Sequence, residues 1–580
     1  MQNTSTGVLL RSDAWIVGDD EAALEHRVAL RSAGLEVDPA GGRPVIGIAN
    51  SASEFNPCNL PLRDLLPALR AGVRAAGGIP VEFPVISLGE DLMMPSAMLY
   101  RNLLAIEIEE MARSHPIDGL LLLANCDKTI PGALMGAASA NLPTLVITGG
   151  ARPPARLRGR TLGTGTDLWR LWDERRAGRL DDATWREAEQ ALSCGQGACN
   201  TMGTASTMAI LAEVLGFALP GSATVPAGDK RALAAAHRAG QRAVEMVRAD
   251  GRPSRVCGPA SLRNALRVLN AVGGSTNAVI HLAALAGRLG LDWTLEDVDR
   301  LGRAVPLLAD VEPCGVGLIQ DFDASGGVPA LLGVLGELLE GQALLADGCR
   351  VDEVARSTPA RGTAIRPVDE PLARGGAFRV VRGSLAPDGA VLKVPAADPG
   401  LLRHRGRAVV FEGYEEMRHR IEDPGLAVDP TSVLVLRGCG PVGGPGMPEW
   451  GMIPIPARLV AQGVRDMVRV TDARMSGTSF GTVFLHVAPE GAIGGPLGLV
   501  EEGDEIAVDT DAGRLDLLVE PNELARRRAG WRPPASPHRR GWPALYQAHV
   551  TQAPQGCDLD FLEAPTPEDR VFVEPVVGRS

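Results

Sequence analysis

The stretch GLLLLANCDKTIPGALMGAASANLPTLVIT, residues 119–148, combines the three segments that decide the fold. Residues 119–125 form a short apolar run, which is typical of a strand covered on both faces. Residues 132–141 are small and mostly apolar and predict a helix, and residues 143–148 predict a second buried strand. A strand, a helix and a strand in this order indicate two parallel strands joined by a crossover helix.

The same alternation extends toward the N-terminus and stops well before the C-terminus. Strands are predicted at residues 44–50 and 79–86, and helices at 62–76 and 97–113. After about residue 380 the pattern changes to short strands between turns rich in glycine and proline. These strands are predicted at 378–383, 390–394, 407–412, 432–437, 468–471, 482–487 and 505–508.

We therefore predict an α/β fold class with two domains. Residues 1–380 are expected to form an N-terminal α/β domain with a parallel sheet, including a mainly helical region at 201–350. Residues 381–580 are expected to form a C-terminal all-β, barrel-like domain.

Composition excludes several classes of protein. The 580 residues carry a formal net charge of −12, which argues against a general nucleic-acid binder. With 45% hydrophobic residues, a mainly disordered chain is excluded. No apolar run approaches the length of a membrane helix, and the first residues lack the pattern of a secretory signal. Nine cysteines are too few for a disulfide scaffold, so we expect a reducing, cytoplasmic location.

A basic cluster near the C-terminus has two interpretations. Arg526–Arg528, Arg532, Arg539 and Arg540 alternate with Trp531 and Trp542. We favour a surface or interface segment over a nucleic-acid patch, since the chain as a whole is acidic.

Three cysteines lie in polar segments that buried structural thiols seldom occupy: Cys58, Cys126 and Cys199. Cys58 and Cys126 each follow a predicted parallel strand, and the carboxyl ends of such strands form a binding crevice. Cys199 precedes a predicted helix, whose N-terminus would lower the thiol pKa. Three thiolates could hold an iron–sulfur cluster, but they form no CxxC pair, so inert structural thiols remain the alternative. For the other six cysteines we predict a structural role: Cys194, Cys257, Cys314, Cys349, Cys439 and Cys557.

Carboxylates and hydroxyls accompany these thiols. Asp127 adjoins Cys126, and Glu90 follows the second strand; both suit a hard cation such as Mg²⁺, although each alone could be a helix cap or a surface-turn residue. Lys128 beside such a site would need a depressed pKa, which burial could provide, and could then become a carbamate.

Two further segments lie in the predicted β domain. Residues 438–449 (GCGPVGGPGMPE) form a glycine-rich loop ending in Glu449, and residues 471–478 (TDARMSGT) place Ser476 beside a glycine. Ser476 could be a nucleophile or a base. Neither a GxSxG elbow nor a GxxxxGK[ST] loop is present, which argues against a hydrolase of that type and a P-loop NTPase.

Six motifs together resemble the dihydroxy-acid and sugar-acid dehydratases, the IlvD/Edd family. They run in order along nearly the whole chain: NPCN at 56–59, NCDKT at 125–129, GACNTMGTAST at 197–207, NAVGGSTNAVIHL at 270–282, GGPGMPE at 443–449 and TDARMSGTSFG at 471–481. EFPVISLGE at 82–90 and LGTGTDLWRLWDERRAGRL at 162–180 are most similar to the pentonate, or aldonic acid, dehydratases.

The resemblance implies a hydro-lyase that converts an aldonate into a 2-keto-3-deoxy acid. It implies a [2Fe–2S] cluster held by Cys58, Cys126 and Cys199, with one iron open to substrate. It implies Mg²⁺ bound by Glu90, Asp127 and Glu449, with Lys128 as a carbamate. Ser476 would be the base, Thr478 an assisting hydroxyl, and the chain a homo-oligomer, a dimer or a tetramer.

Three alternatives remain open at this point. A branched-chain 2,3-dihydroxy acid or 6-phosphogluconate could be the substrate. A non-catalytic iron–sulfur sensor or electron carrier would not need Glu449, Ser476 and Thr478. A zinc-stabilised binding protein is disfavoured because the thiols are far apart in the sequence and no histidine accompanies them.

Overall fold

The first sheet is parallel and forms the centre of the N-terminal part. The computed structural model describes residues 10–564; residues 1–9, on which part of the localisation argument depends, lie outside it. The sheet has the strand order β2-β1-β3-β4. Its strands are β1 Val45–Asn50, β2 Ile79–Pro84, β3 Gly119–Leu123 and β4 Thr144–Ile147. The predicted parallel sheet is confirmed.

Helices cover both faces of this sheet. Successive leucines of β3 point to opposite faces, and the helices bury both sets. Leu121 and Leu123 pack with helices Leu62–Ala75 and Lys230–Arg248 on one side, whereas Leu120 and Leu122 pack with helices Arg101–Ser114 and Thr129–Ala140 on the other. The helices of this part are α1 Asp13–Ile16, α2 Glu21–Ser32, α3 Leu62–Ala75, α4 Arg101–Ser114, α5 Thr129–Ala140, α6 Thr166–Arg176, α7 Asp182–Leu192, α8 Thr204–Val214, α9 Lys230–Arg248, α10 Pro253–Val256, α11 Pro259–Ala271, α12 Asn277–Arg288, α13 Leu295–Arg303, α14 Ile319–Ala324, α15 Gly327–Leu335 and α16 Val351–Ser357.

The predicted helix at 97–113 begins differently from the expectation. Ala97–Tyr100 forms a turn of 3₁₀ helix before α4, because the Ser96 side chain accepts a hydrogen bond from the amide of Met98. A short hairpin of β5 Ala155–Leu157 and β6 Arg160–Leu162 follows the sheet and leads into α6.

The second large sheet is barrel-like, with the order β14-β13-β9-β10-β11-β12-β8-β7 among the described residues. Its strands are β7 Phe378–Val381, β8 Gly389–Lys393, β9 Arg403–Glu412, β10 Val433–Arg437, β11 Arg469–Thr471, β12 Val483–Ala488, β13 Glu505–Asp509 and β14 Arg514–Leu517. The amide of Arg382 donates to Gly513 O (2.8 Å) and that of Leu515 to Arg382 O (2.9 Å), which nearly closes the barrel. The predicted barrel-like sheet is confirmed.

The barrel also contains helices that the sequence analysis left out. Strands β9 to β12 pair in parallel, and a hairpin cannot connect parallel neighbours. Helices therefore lie in the connections after β9 and β10, and two more follow β14: α17 Gly413–Arg420, α18 Ala457–Ala461, α19 Pro521–Gly530 and α20 Gly541–His549. Within residues 10–564, no helix is both long and apolar enough to cross a membrane.

Candidate active site

Three loops meet at the carboxyl edge of the parallel sheet. Asn59, after β1, accepts hydrogen bonds through Oδ1 from the amides of Asn125 (3.1 Å) and Cys126 (2.8 Å), after β3. Thr129 Oγ1 donates to the carbonyl of Leu88, after β2, at 2.9 Å. These bonds hold side by side the loops that contain three of the predicted site residues: Cys58, Asp127 and Glu90.

The three predicted cluster thiols lie together at this edge. Cys58 lies near enough to both Cys126 and Cys199 to affect the pKa values of their thiols. Arg152 Nη2 donates to Cys58 Sγ at 3.7 Å. The other six cysteines are also free thiols; Cys194, for example, donates from Sγ to a backbone carbonyl at 3.0 Å.

The thiol pKa values correct one sequence-based expectation. Hydrogen bonding to Cys58 and burial raise the pKa of the Cys126 thiol well above its usual value. Burial and the charge of Cys58 raise the pKa of Cys199 to about 12. The expected lowering of the Cys199 pKa by a helix N-terminus is therefore wrong. Helix α8 begins only at Thr204, five residues beyond Cys199, and burial is the main cause of the raised pKa.

The predicted carboxylates surround Lys128, whose side chain is fully buried. Its Nζ lies 3.0 Å from Glu449 Oε1 and 3.4 Å from Glu90 Oε2, and it also contacts Asp127 Oδ2. One oxygen from each carboxylate lies within 4.8 Å of the others, an arrangement that could hold a metal ion. Glu90 Oε2 is buried and accepts no hydrogen bond. Glu449 comes from the C-terminal part of the chain, so both halves contribute to the cluster.

Burial and the neighbouring opposite charges shift the pKa values of this cluster in opposite directions. Burial raises the pKa of Glu90. Burial would also raise the pKa of Glu449, but attraction to Lys128 and Arg474 outweighs it and lowers that pKa to about 2. For Lys128 burial favours the neutral amine, whereas the three carboxylates favour the ammonium and raise the pKa above its ordinary value. The expectation that burial depresses the Lys128 pKa is therefore wrong, because three neighbouring charges exceed the desolvation effect.

Ser476 and Thr478 form a hydroxyl pair on the loop after β11. Ser476 Oγ lies 2.9 Å from Thr478 Oγ1 and accepts a hydrogen bond from the Thr478 amide at 3.3 Å. Gly477 between them has no room for a side chain. A Cβ there would lie 2.7 Å from Ser275 Oγ and 2.8 Å from the amide nitrogen of Thr204.

Three helices begin at this loop. Thr166, the first residue of α6, donates from Oγ1 to the carbonyl of Thr478 at 3.2 Å. The amide of Thr204, the first residue of α8, faces Gly477, and Ser275 precedes α12 by two residues. Each helix N-terminus carries a partial positive charge of roughly half a unit. These N-termini lie beside Gly477 and Thr478, the two residues that follow Ser476.

A hydrogen-bond chain connects the hydroxyl loop to the carboxylates. Asn277 donates from Nδ2 to Glu449 Oε1 (2.7 Å) and to Thr204 Oγ1 (3.1 Å). Thr204 Oγ1 lies 2.8 Å from Ser275 Oγ, which touches the Gly477 turn. Cys126 Sγ lies 3.4 Å from Asp127 Oδ1, so the thiols adjoin the carboxylates as well.

Sequence reasoning missed four residues of this site. Arg474 and Asn277 lie inside motifs that were quoted for their neighbours, so a charged or amide side chain within a motif was the available signal. Arg152 and Ser96 lie outside those motifs and had no signal in the sequence. All nine predicted site positions, by contrast, lie at the edge where these loops meet, although their roles stay predictions.

Two family models match the chain over most of its length. The N-terminal domain of dihydroxy-acid/6-phosphogluconate dehydratases matches residues 43–354, and the C-terminal domain of the same family matches residues 363–557. The chain belongs to this dehydratase family. It is accordingly a hydro-lyase, an enzyme that removes water from its substrate, and the resemblance seen in its motifs is confirmed.

Among its relatives in this family, sugar-acid dehydratases are more similar than dihydroxy-acid dehydratases. A 6-deoxy-6-sulfo-D-gluconate dehydratase of Pseudomonas putida is 46% identical over 96% of both chains. An L-arabinonate dehydratase of Rhizobium leguminosarum is also 46% identical over 96% of both chains. A dihydroxy-acid dehydratase of Moorella thermoacetica is 38% identical over 95% of this chain and 100% of its own.

Proposed function

We propose that this dehydratase converts an aldonic acid into a 2-keto-3-deoxy acid. The observation that supports this most directly is the meeting of three thiols, three carboxylates and the Ser476–Thr478 hydroxyl pair at one edge of the sheet. The dehydration of such an acid needs a group that takes the C2 proton and a group that lets the 3-hydroxyl leave. The names of the sugar-acid relatives at 46% identity support the same substrate class.

The donor atoms fit the two groups that the family resemblance implies. Soft thiols suit iron, so Cys58, Cys126 and Cys199 would hold the [2Fe–2S] cluster. Glu90, Asp127 and Glu449 would hold Mg²⁺, and Glu90 Oε2, which accepts no hydrogen bond, is an oxygen suited to that contact. When bound, the cluster supplies a Lewis acid for the departing hydroxyl, and Mg²⁺ stabilises charge near the substrate carboxylate. Lys128 would join the ligands only without its positive charge, as in the carbamate that the resemblance implies.

Ser476 would accept the C2 proton. A serine hydroxyl is a weak base in water, so its surroundings must favour the alkoxide. Thr478 Oγ1, at 2.9 Å, can donate a hydrogen bond to that alkoxide, and the N-termini of α6, α8 and α12 favour negative charge there. The proposed base therefore has two donors from Thr478, its hydroxyl and its amide, and three helix N-termini beside its loop.

Two alternatives to the aldonate proposal concern a different substrate and a different class of protein. Branched-chain 2,3-dihydroxy acids remain the second candidate, because dihydroxy-acid dehydratases are relatives at 38% identity over nearly the whole chain. A non-catalytic iron–sulfur protein would have no use for the buried network that joins Glu449 to the Ser476 loop.

Activity on a substrate panel tests the proposal. The protein would be purified without oxygen, loaded with iron, sulfide and Mg²⁺, and given pentonates, hexonates, 6-phosphogluconate and a branched-chain 2,3-dihydroxy acid. We expect 2-keto acid from one or more of the unphosphorylated aldonates at the highest kcat/KM. Higher kcat/KM for the branched-chain acid would overturn the aldonate assignment, and a fully loaded protein without turnover on any of them would overturn the catalytic one.

Three broader properties belong to the same proposal. We infer a homo-oligomer of two or four chains, a cytoplasmic location and a domain division near residue 380. The nine cysteines, all free thiols, support a reducing compartment. Sedimentation of the cluster-loaded protein would measure the number of chains.

A further inference from the structure

Arg474 is fully buried behind the carboxylate cluster, where three short hydrogen bonds hold it; its Nη2 also lies 3.5 Å from the carbonyl oxygen of Gly446 and 3.9 Å from Glu90 Oε1. Its Nη1 donates to Glu449 Oε1 at 2.8 Å, its Nη2 to Ser96 Oγ at 2.9 Å, and its Nε to the carbonyl of Met447 at 2.6 Å. One guanidinium therefore bridges the loop that carries Glu449 and the segment that follows Glu90.

Ser96 connects Arg474 to Glu90 through hydrogen bonds whose donor and acceptor roles are fixed. Its Oγ accepts hydrogen bonds from Arg474 Nη2 and from the amide of Met98 at 3.1 Å. Both acceptor positions of the hydroxyl are then in use, so its proton must be donated. It is donated to Glu90 Oε1 at 2.7 Å. Glu90 is thus held by one oxygen, and its other oxygen is the buried Oε2 without a hydrogen bond.

Glu449 is held in the same one-sided way. Its Oε1 accepts hydrogen bonds from Lys128 (3.0 Å), Asn277 (2.7 Å) and Arg474 (2.8 Å). Three donors saturate that oxygen, which leaves Oε2 as the oxygen free to bind another group.

We infer that Arg474 is the positioning residue of the acidic cluster, because it fixes Glu449 directly and Glu90 through Ser96, so that each presents its second oxygen to Mg²⁺. This inference rests on the proposed Mg²⁺ site. Arg474 touches neither substrate nor ion in this scheme; it acts through the two carboxylates. Its charge also offsets part of the repulsion among three carboxylates packed within 4.8 Å.

The geometry requires arginine. Two diverging N–H groups of a rigid planar fork reach Glu449 and Ser96 at once, while the third holds a backbone carbonyl. A lysine would keep the charge, but a single ammonium cannot serve these three directions with the same fixed angles. The variant Arg474→Lys therefore keeps the positive charge but loses the fixed orientation of the donors, so it measures the effect of orientation alone.

Binding of Mn²⁺, followed by electron paramagnetic resonance, tests the inference without any turnover. We expect Arg474→Lys and Ser96→Ala to weaken Mn²⁺ binding by about 10–100-fold, the usual effect of losing a residue that orients metal ligands. Ser96→Ala removes only the link to Glu90 and changes little volume, so it provides the test if the arginine variant fails to fold. Iron content should stay at the wild-type level in both, since neither residue contacts the three thiols in the described structure.

Arg469→Lys is the matched control. Arg469 is also buried and is the first residue of β11, the strand before the loop that carries Arg474; it contacts Asp466 and backbone carbonyls but none of the cluster carboxylates. Its variant should bind Mn²⁺ with wild-type affinity per folded chain even if it is less stable. Raised Mg²⁺ should restore turnover of Ser96→Ala and should leave that of Arg469→Lys unchanged.

The outcomes separate the inference from the proposed function. Wild-type affinity for Mn²⁺ in both Ser96→Ala and Arg474→Lys would overturn the positioning role and leave the proposed reaction standing. A wild-type protein that dehydrates aldonates but gives no bound Mn²⁺ signal would remove the metal site and the positioning role together. A wild-type protein that binds Mn²⁺, with weaker binding in both variants but no dehydratase activity, would support the positioning role and count against the proposed reaction.

Discussion

Ser476 must lose its proton before it can act as a base, and its position favours that loss. The hydroxyl lies 2.9 Å from Thr478 Oγ1, and the N-termini of three helices meet at its loop. Ser476→Ala removes one oxygen and little volume. Substrate should still bind, because other groups hold its carboxylate and hydroxyls. We expect kcat to fall by about 10²–10⁴-fold, with KM much less affected.

Ser479→Ala is the control for that variant. Ser479 is a buried serine of the same loop, and its amide donates to Ser476 O at 3.0 Å. Losing its hydroxyl should leave turnover nearly unchanged. Exchange of the substrate C2 hydrogen with deuterated solvent, measured beside turnover, identifies the step. Near-normal exchange in Ser476→Ala would exclude this serine as the base and make Thr478 the next candidate.

The thiols give a second prediction at the residue scale. A serine hydroxyl is a poor ligand for iron, so replacing Cys58, Cys126 or Cys199 by serine should remove the cluster. Iron per chain and visible absorbance would be measured after anaerobic loading. Cys194→Ser is the matched control, because Cys194 lies near Cys199 in sequence and its thiol donates to a backbone carbonyl as a hydroxyl can. Full iron content in Cys199→Ser would contradict the assignment.

At the scale of elements, two buried carboxylates hold the glycine-rich loop that leads to Glu449. Asp472 accepts from the amide of Cys439 (2.9 Å), and Glu490 accepts from those of Val442 (2.9 Å) and Gly443 (2.8 Å). Burial raises the pKa of Asp472 to about 6, and burial together with the charge of Asp472 raises that of Glu490 to about 7. The loop is thus fixed by acids that titrate near neutrality.

These pKa values predict how stability changes with pH. A carboxyl with a raised pKa binds its proton more tightly in the folded chain than in the unfolded one, where its pKa is about 4. Its contribution is complete below pH 4 and is lost as pH rises through 6 and 7. The free energy of unfolding should therefore fall between pH 5 and pH 8, by at most about 1.4 kcal/mol per pH unit for each proton.

Glu490→Gln tests the source of that pH dependence. The amide cannot ionise, so the melting temperature of this variant should change less between pH 5 and pH 8 than that of the wild type. Glu415→Gln, which changes a largely exposed side chain, is the control and should keep the wild-type slope. Equal slopes in wild type and Glu490→Gln would show that other groups dominate.

Strands could be predicted from the sequence where a local pattern of apolar residues and turns determines them. The apolar runs of β1 and β3 predict buried strands, and seven of the eight barrel strands lie where short apolar runs alternate with turns. The eighth, Arg514–Leu517, has four residues in which charged and leucine side chains alternate, too short a signal to distinguish from a turn. The parallel pairing of β9 to β12 was not predictable, because pairing depends on contacts between distant segments.

At the scale of the whole molecule, the sequence could supply the predicted site residues only through their motifs. Nothing local brings Glu449 to Lys128, which lies 321 positions earlier. Ser96 and Arg152 became visible only once the fold placed them beside Glu90 and Cys58. The division at residue 380 and the roles of the site residues stay predictions, since geometry alone does not test them.

The C-terminal segment connects the two halves and gives the last prediction. Arg101 donates to the carbonyls of Gly556 (2.7 Å) and Cys557 (2.9 Å). Arg288, fully buried, donates to both carboxylate oxygens of Asp558 at 2.6 and 3.0 Å. Cys557 Sγ lies 3.7 Å from the sulfur of Met447, two residues before Glu449. The segment therefore packs the α4 and α12 region against the loop that presents Glu449.

Asp558→Asn should destabilise the protein, because it removes the nearer carboxylate of the buried Arg288 guanidinium and leaves only Glu109 Oε2, at 3.6 Å, as its counter-charge. Removing one partner of a buried pair typically costs about 3–5 kcal/mol. We expect a clear drop in melting temperature and faster proteolysis near residue 558. Glu187→Gln is the control, since its pair with Arg158 lies on the surface and should contribute little. Because Cys557 contacts Met447, loosening the segment should also reduce turnover below the melting temperature. Equal melting temperatures for the two variants would mean that the C-terminal segment is not what holds the halves together.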